Sequence, residues 1–126
     1  MPSTDDEQLT RHLRTLLQSI DWTPLGSVQV AAKRLASSPD QGVAITVYAT
    51  IDDPQTHTRR VQFWMRGTRD NPFGPDRISQ LIFEQLHWRH HDSLIARARR
   101  LSTAQLGLDG NGRDERTDNY EIILRP

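Results

Sequence analysis

The spacing of apolar positions predicts a helix at the start of the chain. Leucine or isoleucine recurs every three or four residues between positions 9 and 20, which gives a helix one apolar stripe. Residues 4–7 (Thr-Asp-Asp-Glu) before the stripe fit a capping box, in which the Thr4 oxygen and the Glu7 carboxylate each accept a bond from a free backbone N–H. Pro24 ends the pattern, because the residue before a proline avoids the helical region.

Three segments that follow show the alternation of apolar and polar positions typical of half-buried strands. Residues 43–51 and 59–66 alternate cleanly, whereas residues 28–35 alternate imperfectly. The separators between them are short and rich in turn-forming residues. The economical prediction is therefore an antiparallel three-strand meander.

The apolar positions also predict the register of the hairpin that joins the second and third of these strands. Pairing Val47 with Met65 keeps the apolar side chains of both strands on one face. The same register places Tyr48 opposite Trp64 on the other face. Two adjacent aromatic side chains form an exposed apolar spot unless something covers them. We therefore predict that Tyr48 and Trp64 are interaction residues and that this face is partly buried in a homodimer.

The second half of the chain begins with another predicted helix. Apolar residues from Ile78 to Leu86 follow helical spacing, and Asp76 is placed to cap the helix. After a polar break, residues 94–101 have a spacing that favours a third helical segment. Residues 101–108 fit a strand as well as a helix, so this element stays open between the two.

The end of the chain predicts a loop and a strand. Residues 108–118 are polar and contain two glycines, which indicates a flexible loop, and residues 120–124 alternate as a strand does. The element order is then α-β-β-β-α-(α or β)-β. Grouped strands with helices on one side imply one α+β domain over residues 1–126, with two layers and a mainly antiparallel sheet.

The composition excludes several kinds of chemistry. The chain has 126 residues and no cysteine, which rules out disulfides, thiolate metal sites and cysteine nucleophiles. Its single lysine, Lys33, is not part of a phosphate-binding Gly-Lys-Ser/Thr motif. No apolar run approaches the roughly 20 residues that span a bilayer, and the acidic start does not resemble an export signal. We expect a cytoplasmic, bacterial protein without a cofactor.

The segment 87–92 contains the strongest candidate metal site. On a continuous helix, His87 and His91 would share one face at the spacing with which two imidazoles bind one metal ion, and Asp92 could add an oxygen. The alternative is a polar helix end, with cationic groups near the negative pole of the helix dipole. Two ligands without an evident third seldom form a site, so the polar helix end is favoured.

Basic charge is concentrated in the middle of the chain. Residues 57–100 carry nine basic and four acidic groups, net +5, while the flanking segments 1–56 and 101–126 carry net −3 and −2. Guanidinium groups bind phosphate with two parallel hydrogen bonds, so a helix with several arginines could lie on a nucleic-acid backbone. The alternative is a solvated face balanced by the acidic flanks, and we favour it. The phosphate-binding candidates are Arg89, Arg97, Arg99 and Arg100.

No motif in the sequence indicates a catalytic reaction. We therefore predict a small non-catalytic protein-interaction domain (an adaptor, chaperone-like or regulatory protein) whose partner is another protein or a second copy. The first alternative is a nucleic-acid-binding regulator that uses residues 87–100. The second alternative is a metal-dependent enzyme built around His87 and His91.

Overall fold

A computed structural model describes residues 5–126, which form two helices and five strands. The helices are α1 (Asp5–Gln18) and α2 (Gly74–Leu86). The strands are β1 (Gln29–Ala32), β2 (Gly42–Asp52), β3 (His57–Arg69), β4 (Ile95–Leu108) and β5 (Arg113–Leu124). The predicted α+β class is confirmed, and the element left open between helix and strand is a strand.

The five strands form one sheet in the order β1-β2-β3-β5-β4. The pairs β2–β3, β3–β5 and β5–β4 are antiparallel, whereas β1 runs parallel to β2 through Gln29–Ala32 and Gly42–Ile45. The prediction of an antiparallel three-strand meander is therefore wrong for β1. The connection of residues 33–41 is longer than a hairpin turn, and it returns the chain to the end at which β1 began.

Both helices pack on the same face of the sheet and share one core with it. The buried residues of each helix are three or four positions apart, so a single stripe faces the sheet. These residues are Leu9, Leu13 and Leu17 in α1, and Ile78, Ile82 and Leu86 in α2. Alternate residues of β2 and β3 complete the centre of the core: Val43, Ile45, Val61, Phe63 and Met65.

The beginnings of the two helices differ from the predicted caps. Thr4 of the predicted capping box lies outside the described residues. Helix α2 follows Phe73, which makes no side-chain capping bond, and Pro75 lies in its first turn. Proline fixes a helical φ and has no N–H to satisfy, so the helix begins without a polar cap. Asp76 is not that cap: it lies inside the first turn and accepts hydrogen bonds from other elements.

The predicted hairpin of β2 and β3 is confirmed, but its register is not. Val47 lies opposite Val61, and Met65 lies opposite Val43. The pairing is irregular between Val47 and Ala49, where Tyr48 is the extra residue. Such a bulge shifts the strand by one position and redirects its side chains. Most of the difference arises at the turn, where Asp52 already pairs with His57, so Tyr48 is not opposite Trp64, whose partner on β2 is Ala44.

The predicted helix over residues 94–101 is wrong, because β4 begins at Ile95. Ile95 and Ala98 are both buried although three positions separate them. The pairing of β4 with β5 is irregular between Ile95 and Arg97, and this changes which side chains face the core. A strand with a bulge therefore produces the spacing that favoured a helix.

The predicted flexible loop over residues 108–118 is also shorter than expected. Strand β5 already begins at Arg113, so the turn occupies residues 109–112. Polar side chains of this half of β5 are held in place by partners: Arg113 Nε bonds Asp109 Oδ2 at 2.8 Å, and Asp118 is fully buried. Because these protected side chains are polar, this half of β5 lacks the alternation of apolar and polar residues that predicts a strand.

Candidate functional site

The three candidate metal ligands, His87, His91 and Asp92, are not grouped as a metal site requires in the described part of the chain. Helix α2 ends at Leu86, so His87 and His91 are not on a continuous helix. The His87 ring stacks on Phe83 with centroids 4.3 Å apart, and its Nδ1 accepts a bond from the backbone N–H of Arg100 at 3.2 Å. Burial and the nearby Arg100 charge lower the pKa of His87. Within residues 5–126, no three acidic or histidine side chains are grouped as metal ligands would be.

Asp92 instead organises the connection between α2 and β4. Its carboxylate accepts bonds from His12 and Arg89 at 2.9 and 3.0 Å, and from the backbone N–H groups of Leu94 and Ile95 at 2.8 Å. Burial alone would raise the pKa of Asp92, but the Ile95 amide, His12 and the other donors together hold it well below its usual value. No sequence pattern predicts the contact with His12, because 80 positions separate the two residues.

The four candidate arginines do not form a common basic face. Arg89 is paired with Asp92, and Arg99 Nε lies 3.3 Å from Glu121 Oε1. The guanidinium carbon of Arg100 lies over the Phe83 ring, 4.3 Å from its centre. Arg97 is exposed. Because β4 replaces the predicted helix, the face on which these side chains were expected to gather does not exist.

A buried polar network fastens α2 to β5. Ser79 Oγ donates to Asp118 Oδ2 at 2.5 Å, and Arg116 Nε donates to Asp118 Oδ1 at 2.8 Å. The same guanidinium reaches Asp76 on α2 at 2.9 Å, and Gln105 of β4 donates to Asp76 at 2.7 Å. The network holds the hairpin of β4 and β5 firmly against the helix layer.

Buried arginines anchor the two ends of the sheet. At one end Arg59, whose side chain is 1% exposed, bonds the carboxylates of Asp5, Asp6 and Asp52 at 3.1, 2.9 and 2.6 Å. Hydrogen bonds from Arg59 and then His57 lower the pKa of Asp52. At the other end, two arginines donate to backbone carbonyls of the loop 33–41: Arg66 to Ala36 and Asp40, and Arg113 to Ser37. These charged groups therefore hold loops and helix ends in place.

The least protected part of the surface is the second half of β4, residues 101–108, which we call the edge segment. All eight of its residues are exposed, and the segment contains no charged residue and no proline. Its three leucines, Leu101, Leu106 and Leu108, are 37%, 51% and 66% exposed. Strand β4 is the last strand of the sheet, so no strand covers this side within residues 5–126. Free edges are usually protected by charge or proline, because their open backbone groups pair readily with another strand.

The uncharged composition of the edge segment is visible in the sequence. Residues 101–108 contain no charged residue, and neither do the longer runs 22–32 and 41–51. An uncharged run indicates a contact surface only when it lies on an edge strand, because an uncharged run on a central strand belongs to the core.

Comparison with models of known protein families shows to which family the chain belongs. A family model described as "Bacteriophage tail terminator protein" matches residues 16–126, which is most of the sequence. The chain belongs to the bacteriophage tail terminator family. Membership identifies it as a structural protein of a phage-type tail. The predicted non-catalytic class fits this assignment, but the narrower adaptor or chaperone-like roles do not follow from it.

A solved structure supports the fold of this tail terminator family member. The fold is similar to a chain of a structure described as "Virion of native gene transfer agent (GTA) particle", with a TM-score of 0.68. The similarity covers 94% of this chain and 95% of that chain at 7% sequence identity, so it concerns the fold alone. The comparison with curated proteins gives no match.

Neither helix in residues 5–126 is long and apolar enough to cross a membrane.

Proposed function

We propose that the protein is a non-catalytic structural subunit that ends a phage-type tail by binding other tail proteins. The observation that carries the proposal is the exposed edge segment, residues 101–108, in a chain of the tail terminator family. An uncharged, solvent-exposed sheet edge leaves backbone groups of an isolated monomer without partners. In an assembly, the same edge provides backbone hydrogen bonds and apolar contacts for a neighbouring protein.

The arrangement of the polar side chains supports a binding role over a catalytic one. The buried carboxylates Asp92 and Asp118 are each bonded by several donors of the chain itself. Catalytic acids and bases need a pocket in which they reach a substrate. These two carboxylates instead connect elements of the fold, and the rigid scaffold they produce is suited to presenting a fixed surface.

The nucleic-acid alternative has less support. Arg89 and Arg99 have acidic partners on neighbouring residues of the fold, and Arg100 lies against Phe83. Each pairing reduces the charge available to neutralise a phosphate, and phosphate neutralisation supplies most of the affinity for nucleic acid. No second function is proposed on these residues.

Deletion of the coding sequence from the phage or particle genome tests the proposed function. We expect tails of irregular length in electron micrographs, because the subunit that ends the tail is missing. Restoring the gene in trans should restore uniform tails, and labelled protein should localise at one end of the tail. Tails of normal length in the deletion strain, or label distributed along the whole tail, would contradict the proposal.

A further inference from the structure

The turn that joins β4 to β5 has an unusual composition. Residues 109–112 read Asp-Gly-Asn-Gly, so glycine twice follows an acidic or amide side chain. Glycine has no Cβ and leaves the backbone nitrogen after such a side chain uncrowded. That nitrogen can attack the side-chain carbonyl carbon of the residue before it and close a five-membered ring.

The side chain of Asn111 is free to react with the nitrogen of Gly112. Asn111 is exposed, and within residues 5–126 its side-chain amide has no hydrogen-bond partner. Gly112 has a φ of +76°, and a Cβ built on it would meet nothing within 4 Å. The N–H of Gly112 donates a single long bond of 3.4 Å, to the Asp109 carbonyl. An open position and a weakly held N–H are therefore combined in this one peptide unit.

Asp109 precedes Gly110 in the same turn but is protected. Its carboxylate accepts bonds from the backbone N–H groups of Asn111 and Arg113 at 2.8 and 3.0 Å, and from Arg113 Nε at 2.8 Å. The backbone N–H of Arg113 and the other donors lower the pKa of Asp109, so the group stays an anion. A carboxylate anion is a poor electrophile, and ring closure on aspartate needs the protonated acid. The turn thus contains one protected position and one unprotected position.

Each of the other two asparagines of the chain lacks one of the conditions that Asn111 meets. Asn71 precedes Pro72, whose nitrogen carries no hydrogen to lose. Asn119 lies on β5, where its amide donates to Ser102 Oγ at 3.1 Å, and the residue after it, Tyr120, is fully buried. These two asparagines are internal references within the same molecule.

We propose that Asn111 is a site of spontaneous deamidation, which converts it to aspartate or isoaspartate as the protein ages. The Gly112 nitrogen bonds to Asn111 Cγ and the Cγ–Nδ2 bond breaks, so the backbone amide proton leaves with the side-chain amino group as ammonia. Water, the only other reactant, then opens the succinimide ring. Opening at Cγ gives aspartate, whereas opening at the main-chain carbonyl carbon gives isoaspartate, in which the main chain runs through Cγ. The modification is independent of the proposed tail function.

The isoaspartate product changes the length of the turn. It adds one methylene group to the main chain between Asp109 and Arg113, and the N–H of Asp109 donates to the Arg113 carbonyl at 2.8 Å across the same residues. The added atom must displace one end of that bond. Arg113 is 5% exposed and also donates to the Ser37 carbonyl and to Asp40. Isoaspartate at position 111 therefore loosens the attachment of the turn to the loop of residues 33–41.

Ageing of the purified protein in neutral and in mildly alkaline buffer tests the proposal. Peptide mass spectrometry follows the three asparagines, and fragmentation by electron transfer distinguishes isoaspartate from aspartate. We expect a mass gain of one dalton at Asn111 alone, severalfold faster in the alkaline buffer because the Gly112 N–H must lose its proton. Asp109 should keep its normal linkage. An Asn111 that stays intact in the folded protein while it deamidates in guanidinium chloride, or equal modification of Asn119, would overturn the proposal.

Two variants separate the charge of the product from its longer main chain. Asn111→Ser cannot form the ring, so its mass and melting temperature should not change with age. Asn111→Asp carries the new charge on a normal main chain, and when freshly purified it should melt close to fresh wild type, because charges at exposed positions contribute little. Aged wild type, rich in isoaspartate, should melt at a lower temperature than either. An equal loss for aged Asn111→Ser, or an unchanged melting temperature of fully converted wild type, would overturn the effect on the turn.

Discussion

The imidazole Nε2 of His12 lies 2.9 Å from both carboxylate oxygens of Asp92, although 80 positions separate the two residues. His12 is on α1, whereas Asp92 precedes β4, so the contact joins the first helix to the connection between α2 and β4. The same carboxylate accepts the backbone N–H groups of Leu94 and Ile95. Asp92 thereby fixes the position at which β4, and with it the edge segment, begins.

Replacement of Asp92 by alanine should destabilise the fold strongly. The side chain is 3% exposed and accepts bonds from two charged or ionisable partners and two backbone amides. Removing it leaves buried donors without an acceptor, which costs roughly 2–4 kcal/mol. Urea unfolding measures the change, and Glu84→Ala at an exposed position is the control, expected within about 0.5 kcal/mol. A loss for Asp92→Ala as small as that of the control would contradict the assigned role.

The contribution of Asp92 should also depend on pH below the neutral range. Its pKa is lower in the folded protein than in the unfolded chain, so as the pH falls the unfolded state takes up a proton first. The stability from Asp92 is then complete above the unfolded pKa of about 3.9 and decreases as the pH falls below it. We expect the difference in unfolding free energy between wild type and Asp92→Asn to shrink from about pH 4 to pH 2. A difference that stays constant over that range would be the contrary result.

The elements that the sequence predicts well are those in which nothing interrupts the period. Helix α1 keeps one stripe of leucines, and most of β2 and β3 keep strict alternation. Bulges contribute to two of the errors. The hairpin register differs chiefly at the turn, where Asp52 already pairs with His57, and the bulge at Tyr48 adds one further position. The bulge beside Ile95 brings Ala98 onto the core side and so imitates helical spacing.

The proposed contact surface could not be predicted for a different reason. Contacts such as that between His12 and Asp92 depend on tertiary packing, and no local pattern encodes them. The composition of residues 101–108 was visible in the sequence. Its significance depends on the position of β4 at the border of the sheet, which follows from the order in which the strands assemble.

Substitution of Gly67 by alanine should destabilise the junction between β3 and α2. A Cβ there would lie 2.8 Å from Pro75 Cδ and 3.2 Å from Gly74 Cα, too close for normal contact. Separating these segments costs roughly 1–3 kcal/mol. Gly110→Ala is the matched control, because its Cβ would meet nothing within 4 Å. Equal thermal unfolding of the two variants would show that the close approach is not needed.

Substitution of Arg97 and Arg99 by alanine tests the nucleic-acid alternative. We expect wild type to show no salt-sensitive binding to duplex DNA in fluorescence anisotropy, since Arg99 is paired with Glu121. The double variant should lose less than about 1 kcal/mol of stability, as exposed ion pairs contribute little. Tight binding that weakens steeply with salt, and that the double variant abolishes, would favour the nucleic-acid regulator instead.

The length of tails assembled with Leu106→Glu in place of the wild-type subunit tests whether the edge segment is the assembly surface. Leu106 is 51% exposed on the edge segment, so the variant should fold as wild type while losing the proposed contact surface. Electron micrographs should then show tails as irregular as those of the deletion strain, while Phe73→Glu restores uniform tails. Uniform tails with a folded Leu106→Glu subunit would contradict the claim that this edge is the assembly surface.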